Sequence, residues 1–207
     1  MIKFTLKNKS RKARTGILEL KHGIVETPTF MTVGTYGSVK SLANSDLLEC
    51  EAQIILCNAY HLMLRPEHDV VLKAGGLHKF MNWSKPILTD SGGYQVFSLS
   101  RQTRVSRNGV EFKSPLNGNK IFMTPEKSIE TQINLGSDIM MIFDECTPYT
   151  ATRDEVKKSM ELSLYWAELS KKANNTTMPL FGIVQGGMHN DLREISLNEL
   201  TKHNFDG

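Results

Sequence analysis

Four short apolar runs of this chain end in polar residues whose chemistry is selective. Ile54 to Cys57 leads into Asn58, Tyr60 and His61, and Ile87 to Leu88 leads into Asp90, Ser91, Gly92, Gly93, Tyr94 and Gln95. Ile139 to Phe143 leads into Asp144, Glu145 and Cys146, and Leu180 to Val184 into Gln185, Gly186 and Gly187. A carboxylate such as Asp144 only accepts hydrogen bonds, so it can take two parallel N–H donors from one edge of a planar heterocycle such as guanine. Gln185 can donate its amide to a ring carbonyl. Tyr94 offers a flat face, and stacking is worth about 1–3 kcal/mol per base. Glycines beside Asp90 and Gln185 let backbone amides approach a ligand closely. A single aspartate at a strand end is ordinarily a helix cap or a loop hydrogen-bonder. Four polar strand ends together argue for one shared pocket facing Asn58, Asp90, Asp144 and Gln185.

Other chemistry-bearing residues stay open between two readings. His61, within NAYHLMLRP, is either catalytic or a residue that orients a loop. Arg101, Arg104 and Arg107 follow the Asp90 turn and either meet phosphates or are ordinary exposed arginines. His22, His68, His78, His189 and His203 show no partner spacing and read as surface or structural. Lys3, Lys7, Lys9, Arg11, Lys12 and Arg14 all precede the first acid, Glu19, and read as a solvated hairpin rather than a phosphate contact, since exposed β edges carry lysine.

The elements that must position these groups follow from periodicity. Thr29 to Val33, Ile54 to Cys57, Ile87 to Leu88, Ile139 to Phe143 and Leu180 to Val184 are continuous apolar runs, as in parallel strands buried on both faces. The carboxyl ends of such strands converge on one ligand-binding face. Thr124 with Pro125 predicts a helix running to Leu135 and stopped by Gly136. Thr152 and Glu155 form a capping box, with Val156, Met160, Leu164 and Ala167 on one helical face. Asn190 opens a further helix with Leu192, Ile195 and Leu200 inward. Phe4 and Leu6 alternate with polar residues as an edge strand, with Gly16 to Leu20 and the Lys21 to Gly23 turn suggesting its hairpin partner. Thr103 to Met123 reads as an inserted β-hairpin.

The 207 residues, 40% hydrophobic and free of linkers or repeats, suit one domain over residues 1–207. A net charge of +3 permits a polyanionic partner without demanding one. Three cysteines, Cys50, Cys57 and Cys146, without CxxC spacing argue against a disulfide scaffold and against a zinc site within these residues. The absence of a membrane-length apolar run and of a secretory h-region predicts a cytoplasmic protein with no membrane partner. A complete (β/α)8 barrel, which takes about 250 residues, does not fit in this length.

The stretches TPTFMTVGTYGSVKSL (27–42), ILCNAYHLMLRP (55–66), TDSGGYQVFSLS (89–100), MIFDECTPY (141–149) and FGIVQGGMHNDLREIS (181–196) together resemble the tRNA-guanine transglycosylase family, the queuine tRNA-ribosyltransferases. The similarity runs from about residue 13 to the last. Ala59 departs from it, standing where the family commonly has Thr. The resemblance implies an α/β fold of the (β/α)8 TIM-barrel type, present here as its N-terminal part. It implies exchange of guanine at the anticodon wobble position of tRNA for a 7-deazaguanine, through a covalent ribosyl-enzyme. By motif, Asp90 resembles the general acid/base. Asp90, Ser91, Gly92, Gly93 and Tyr94 line the base pocket, Asp144 and Gln185 match the base-recognition residues, and Cys146 and Gly186 join the substrate-binding set. Cys146 in FDEC resembles the bacterial form, whose incoming base is 7-aminomethyl-7-deazaguanine (preQ1). The implied partners are tRNA with a guanine wobble base, guanine and preQ1, and a homodimer in the full-length form.

The family's nucleophilic aspartate and its zinc site, a C-x-C-x-x-C set with a distant His, lie downstream of VQGG and outside these residues. The expectation is therefore a chain that is inactive and unstable alone, with an exposed sheet edge, no metal ligand of its own, and zinc only in the full-length protein. Two other functions compete. A barrel glycoside hydrolase would use Asp90 and Asp144 as its carboxylate pair, against which FDEC and VQGG count. A non-catalytic subunit or fragment would bind tRNA or a deazaguanine without chemistry, against which retention of Asp90 counts.

Overall fold

The computed structural model describes residues 2–99 and 103–207. In chain order its elements are β1 (Lys3–Ser10), β2 (Ala13–Leu20), β3 (Gly23–Thr27), β4 (Thr32–Val33), α1 (Asn44–Glu49), β5 (Ile55–Cys57), α2 (Ala59–Leu64), α3 (His68–Lys73), α4 (Leu77–Met81) and β6 (Ile87–Thr89). They continue as α5 (Gly93–Leu99), β7 (Arg104–Ser106), β8 (Gly109–Lys113), β9 (Lys120–Met123), α6 (Pro125–Leu135), β10 (Ile139–Met141), α7 (Arg153–Ala173), β11 (Leu180–Phe181) and α8 (Asn190–Thr201).

The five apolar runs form one parallel sheet in the order β4-β5-β6-β10-β11, each new strand added beside the previous one in sequence. Helices connect the strands, so the molecule is a mixed α/β structure with a parallel sheet. Alternation along the strands separates two apolar layers. Ile55, Cys57 and Ile87 pack outward against Leu47, Leu62, Val71 and Leu77 of the helices. Met140 and Leu180 do the same with Ile129 of α6, Ala167 of α7 and Leu200 of α8. Ile54, Leu88 and Ile139 form the other layer with Val25 of β3, joined by the partly buried Leu18, Leu20, Leu56 and Met141.

Local sequence signals account for the long helices. Thr124 accepts a hydrogen bond from the Lys127 N–H at 3.2 Å, Pro125 takes the first position of α6, and Gly136 stops it with φ +74°. Thr152 and Glu155 close the capping box of α7, which buries Val156, Met160 and Ala167 as the spacing predicts. The same face also buries Ser159, Ser163 and Ser170. In α8, Leu192 and Leu200 are inward, but Ile195 is 45% exposed, which corrects its inward assignment. The buried stripe centres on Ser196, and Ile195 sits about 100° round the helix from it.

The N-terminal segment holds one strand more than its pattern suggests. β1 and β2 pair antiparallel across a turn at Arg11 and Lys12, and the Lys21–His22 turn leads instead into β3, which also pairs antiparallel with β2. Residues 104–123 likewise make three antiparallel strands, in the order β7-β8-β9. Among the described residues, no helix is long and apolar enough to cross a membrane.

Candidate active site

The loops that follow β5, β6 and β10 bring Asn58, Asp90 and Asp144 to the carboxyl end of the sheet. An open depression of about 300 Å3 lies there, walled by Leu56, Leu88 and Met141 of the strands, Ile183 after β11, and the segment from Asp90 to Gln95 with Asp144. Apolar side chains thus form the floor and carboxylates the rim, an arrangement suited to a flat, polar-edged ligand.

Asp90 is held by neutral donors. The Ala59 N–H donates to Oδ1 at 2.9 Å, Gln95 Nε2 donates to Oδ2 at 3.0 Å, and Asn58 Nδ2 also donates to Oδ2. Burial raises its pKa above the ordinary carboxylate range, and the bonds from Asn58, Ala59 and Gln95 oppose that rise without cancelling it. Asp144 is buried, and burial raises its pKa as well, against hydrogen bonds from Gln185, Ser91 and Cys146. Ser91 Oγ donates to Oδ1 at 3.2 Å; Gln185 Nε2 donates to Oδ2 at 2.7 Å, and the Cys146 thiol approaches the same oxygen at 3.6 Å. No cation is among these partners. Both carboxyls therefore hold a proton to higher pH than a solvated aspartate does.

The mutual bond between Asp144 and Gln185 refines the expected division of labour. A carboxylate has about four acceptor positions, and three are taken by protein donors. Two parallel N–H donors from a ligand can be accepted only as Gln185 or the weakly bound thiol of Cys146 yields. That thiol is pushed up to about 12 by burial and by Asp144, so it stays protonated. Cys146 lines a second, apolar cavity of about 30 Å3 with Gly93, Asp144 and Trp166.

Tyr94, at the start of α5, is 61% exposed beside the depression, a position open to stacking. Ser91, Gly92, Gly93 and Gly186 are buried. A Cβ on Gly93 would stand 2.4 Å from the Asp144 carbonyl oxygen and 2.7 Å from its Oδ1, so this glycine permits the β6 and β10 loops to touch. At Gly186, φ is +124° and a Cβ would meet the Arg193 backbone nitrogen at 2.6 Å, so α8 occupies that space.

Other candidates separate from this group. His61 packs its ring 4.8 Å from that of Tyr36, and burial, with Lys40 nearby, lowers its pKa. Arg107 lies over the Tyr165 ring at 4.4 Å and its carbonyl accepts from Trp166 Nε1 at 2.8 Å. Arg104 is exposed on β7. Arg101 lies outside the described residues.

Sequence reasoning missed the supports behind the rim. Ser170 Oγ accepts from the Phe143 N–H at 3.1 Å, and Ser163 Oγ accepts from the Glu145 N–H at 2.9 Å. Ser159 Oγ donates to the Glu145 carbonyl at 3.1 Å. Three serines on the buried face of a capped helix were the available signal. Gln132 of α6 bonds the Met141 N–H at 2.8 Å and its carbonyl at 2.9 Å, standing in for a strand partner, and no pattern announces it. The three cysteines are free, and among the described residues they join no group able to hold a metal.

The chain matches the family model described as queuine tRNA-ribosyltransferase over residues 9–207. A queuine tRNA-ribosyltransferase of Neisseria meningitidis is 57% identical over 210 residues, covering 100% of this chain and 57% of that protein. Those of Hydrogenovibrio crunogenus and Acinetobacter baylyi are 55% and 54% identical, again over 100% of this chain and over 56% and 54% of theirs. The chain spans about half the length of the curated relatives it matches.

Proposed function

Because this chain belongs to the queuine tRNA-ribosyltransferase family, we propose that the protein exchanges the wobble guanine of tRNA for a 7-deazaguanine, with preQ1 as the incoming base. Residues 1–207 are then the N-terminal part of a TIM-type barrel that carries the base pocket in the cytoplasm. The chain-order winding β4-β5-β6-β10-β11 supports the barrel, since each strand of such a barrel lies beside its predecessor.

The observation that carries the reading is the pair of carboxyls, Asp90 and Asp144, bonded only to neutral groups at one rim. Asp144 receives the donor edge of the base as Cys146 and Gln185 give way, and Gln185 turns its amide to the ring carbonyl. Tyr94 stacks on the ring. Ser91, Gly92 and Gly93 hold the turn, and Gly186 lets α8 close behind Gln185. The target base must first leave its stack, at an expense of a few kcal/mol that these contacts offset. Departure of guanine from C1′ passes through an oxocarbenium-like state trapped by an aspartate of the longer protein as a ribosyl-enzyme, and preQ1 then displaces that carboxylate. Asp90 protonates the leaving guanine and removes the proton from the incoming base. Zinc belongs to the longer protein in this reading.

Incorporation of labelled guanine into tRNA tests the proposal, in a protein that carries the nucleophilic aspartate as well as these residues. Asp90→Asn should abolish exchange while preQ1 still binds. Undiminished exchange in that variant removes Asp90 from its role, and wild-type binding of preQ1 without exchange supports the binding-subunit alternative instead.

A further inference from the structure

Away from the depression, the closest gathering of ligating groups lies at the amino end of the same strands. His22, in the turn between β2 and β3, places Nδ1 2.7 Å from Asp138 Oδ1. His78 of α4 places Nε2 3.1 Å from Asp138 Oδ2. The two imidazoles stack, with centroids 3.6 Å apart and planes 24° from parallel, and each reaches a different oxygen of the one carboxylate. The three ligand atoms lie within 4.8 Å of one another. These residues are far apart in sequence: His22 lies in a turn, His78 in α4, and Asp138 just before β10.

We infer that His22, His78 and Asp138 form a binding site for one divalent transition-metal ion of the zinc class, which fastens the N-terminal strands to the amino end of the parallel sheet. Three observations favour an ion over a set of hydrogen bonds alone. First, His78 Nε2 is buried near Oδ2 yet lies off the line of a hydrogen bond, which leaves it without an aligned partner. Second, the carboxylate is anchored independently of both rings. The Ile87 N–H donates to Oδ2 at 2.9 Å and the His22 N–H to Oδ1 at 3.2 Å, so Asp138 keeps its place when the rings turn to an ion. Third, burial is graded, with the Asp138 side chain fully buried and that of His22 29% exposed, giving an ion a way in.

The donor set is suitable. Two imidazoles with one carboxylate bind zinc and its neighbours in the transition series. Bonds of about 2.0–2.1 Å around a tetrahedral ion set its donors about 3.4 Å apart, and the two rings must turn out of their stack for both in-plane lone pairs to meet on it. Each imidazole must be neutral and present its lone pair, His22 at Nδ1 and His78 at Nε2. No bond beyond coordination forms, and no electron moves. The Asp138 N–H bonds the Ile87 carbonyl at 2.9 Å, which puts this site on the order of 10 Å along β6 from Asp90. Its role is structural.

Equilibrium dialysis of the protein against Zn2+ alone, followed by metal analysis, tests the site. The wild type should hold one equivalent more than His22→Gln or His78→Gln, or hold that equivalent about tenfold or more tightly. Zn2+ should raise the wild-type unfolding midpoint and leave those of the variants unchanged, because only a folded site binds. Circular dichroism and the metal-free midpoint establish that each variant folds. Should neither fold, Co2+ titration of the wild type decides: a visible band with imidazole character supports the site, and no band overturns it. Equal stoichiometry, affinity and midpoint shift in wild type and folded variants also overturns it, leaving a hydrogen-bonded clasp only.

Discussion

The two ends of the parallel sheet use the same residue type in opposite ways. At the carboxyl end, Asp90 and Asp144 meet amides, a hydroxyl and a thiol, and burial raises both pKa values. At the amino end, burial also acts upward on Asp138, but the His78 imidazole, the Ile87 N–H and His22 outweigh it and hold the carboxyl below its usual range. The lesson concerns partners more than depth. Burial acts upward at both ends, and the donors that face each carboxyl decide whether it comes to rest above or below its ordinary range.

The largest expected effect that could break this comparison is on stability. Asp138→Ala takes the hydrogen-bond acceptor from His22 and from two backbone N–H groups, and the carboxylate from beside His78, and should destabilise the fold by about 3–5 kcal/mol, read by denaturant unfolding. A change within about 0.5 kcal/mol, the range of an ordinary surface substitution, would erase the structural role assigned to that end. Asp144→Ala should do the reverse. Calorimetric titration with preQ1 should show affinity lower by at least about 2 kcal/mol, or roughly 30-fold, because two donors of the base lose their acceptor. Equal binding by both proteins removes Asp144 from base recognition.

Asp144→Asn sharpens the contrast through pH. A carboxyl whose pKa is raised on folding binds its proton more tightly in the folded than in the unfolded state. Wild-type stability should therefore fall relative to Asp144→Asn as pH rises from the ordinary carboxylate range to the raised value, and then level off. A difference that stays flat with pH, or runs the other way, contradicts the upward shift. Tyr94→Ala should weaken base binding by about 1–3 kcal/mol and leave unfolding unchanged, since the ring is exposed. The smallest effect belongs to Arg153→Ala on the surface, where loss of the exposed pair with Asp191 should leave the unfolding midpoint where an ordinary surface substitution leaves it.

Much of the scaffold was legible because its signals are short-range. The caps at Thr124 and Thr152 act within three residues, and the continuous apolar runs reported buried strands directly. Ile195 misled because a helix of mixed polarity allows more than one stripe, and packing chose the one through Ser196. The third strand in each antiparallel sheet has no separate signal in the sequence because β3 and β7, of five and three residues, are too short to show a period of their own. At the site, Asp90, Asp144 and Gln185 could be grouped in advance, since strand ends of a parallel sheet share one face. That Gln185 would already be bonded to Asp144 could not, because nothing local distinguishes an amide waiting for a ligand from one engaged with its neighbour.

By itself, the sequence determined the succession of strands and helices, the polar character of the strand ends and the family to which the motifs belong. These rest on periodicity, capping and motif order, all of which are written within a few residues. Only the tertiary structure decided what Asp138 does. Its bond to His22 spans 116 residues, and His22 and His78 become neighbours only when a turn and a helix close over the same end of the sheet. Contacts of that kind depend on chain geometry summed over many elements, and no local pattern encodes them.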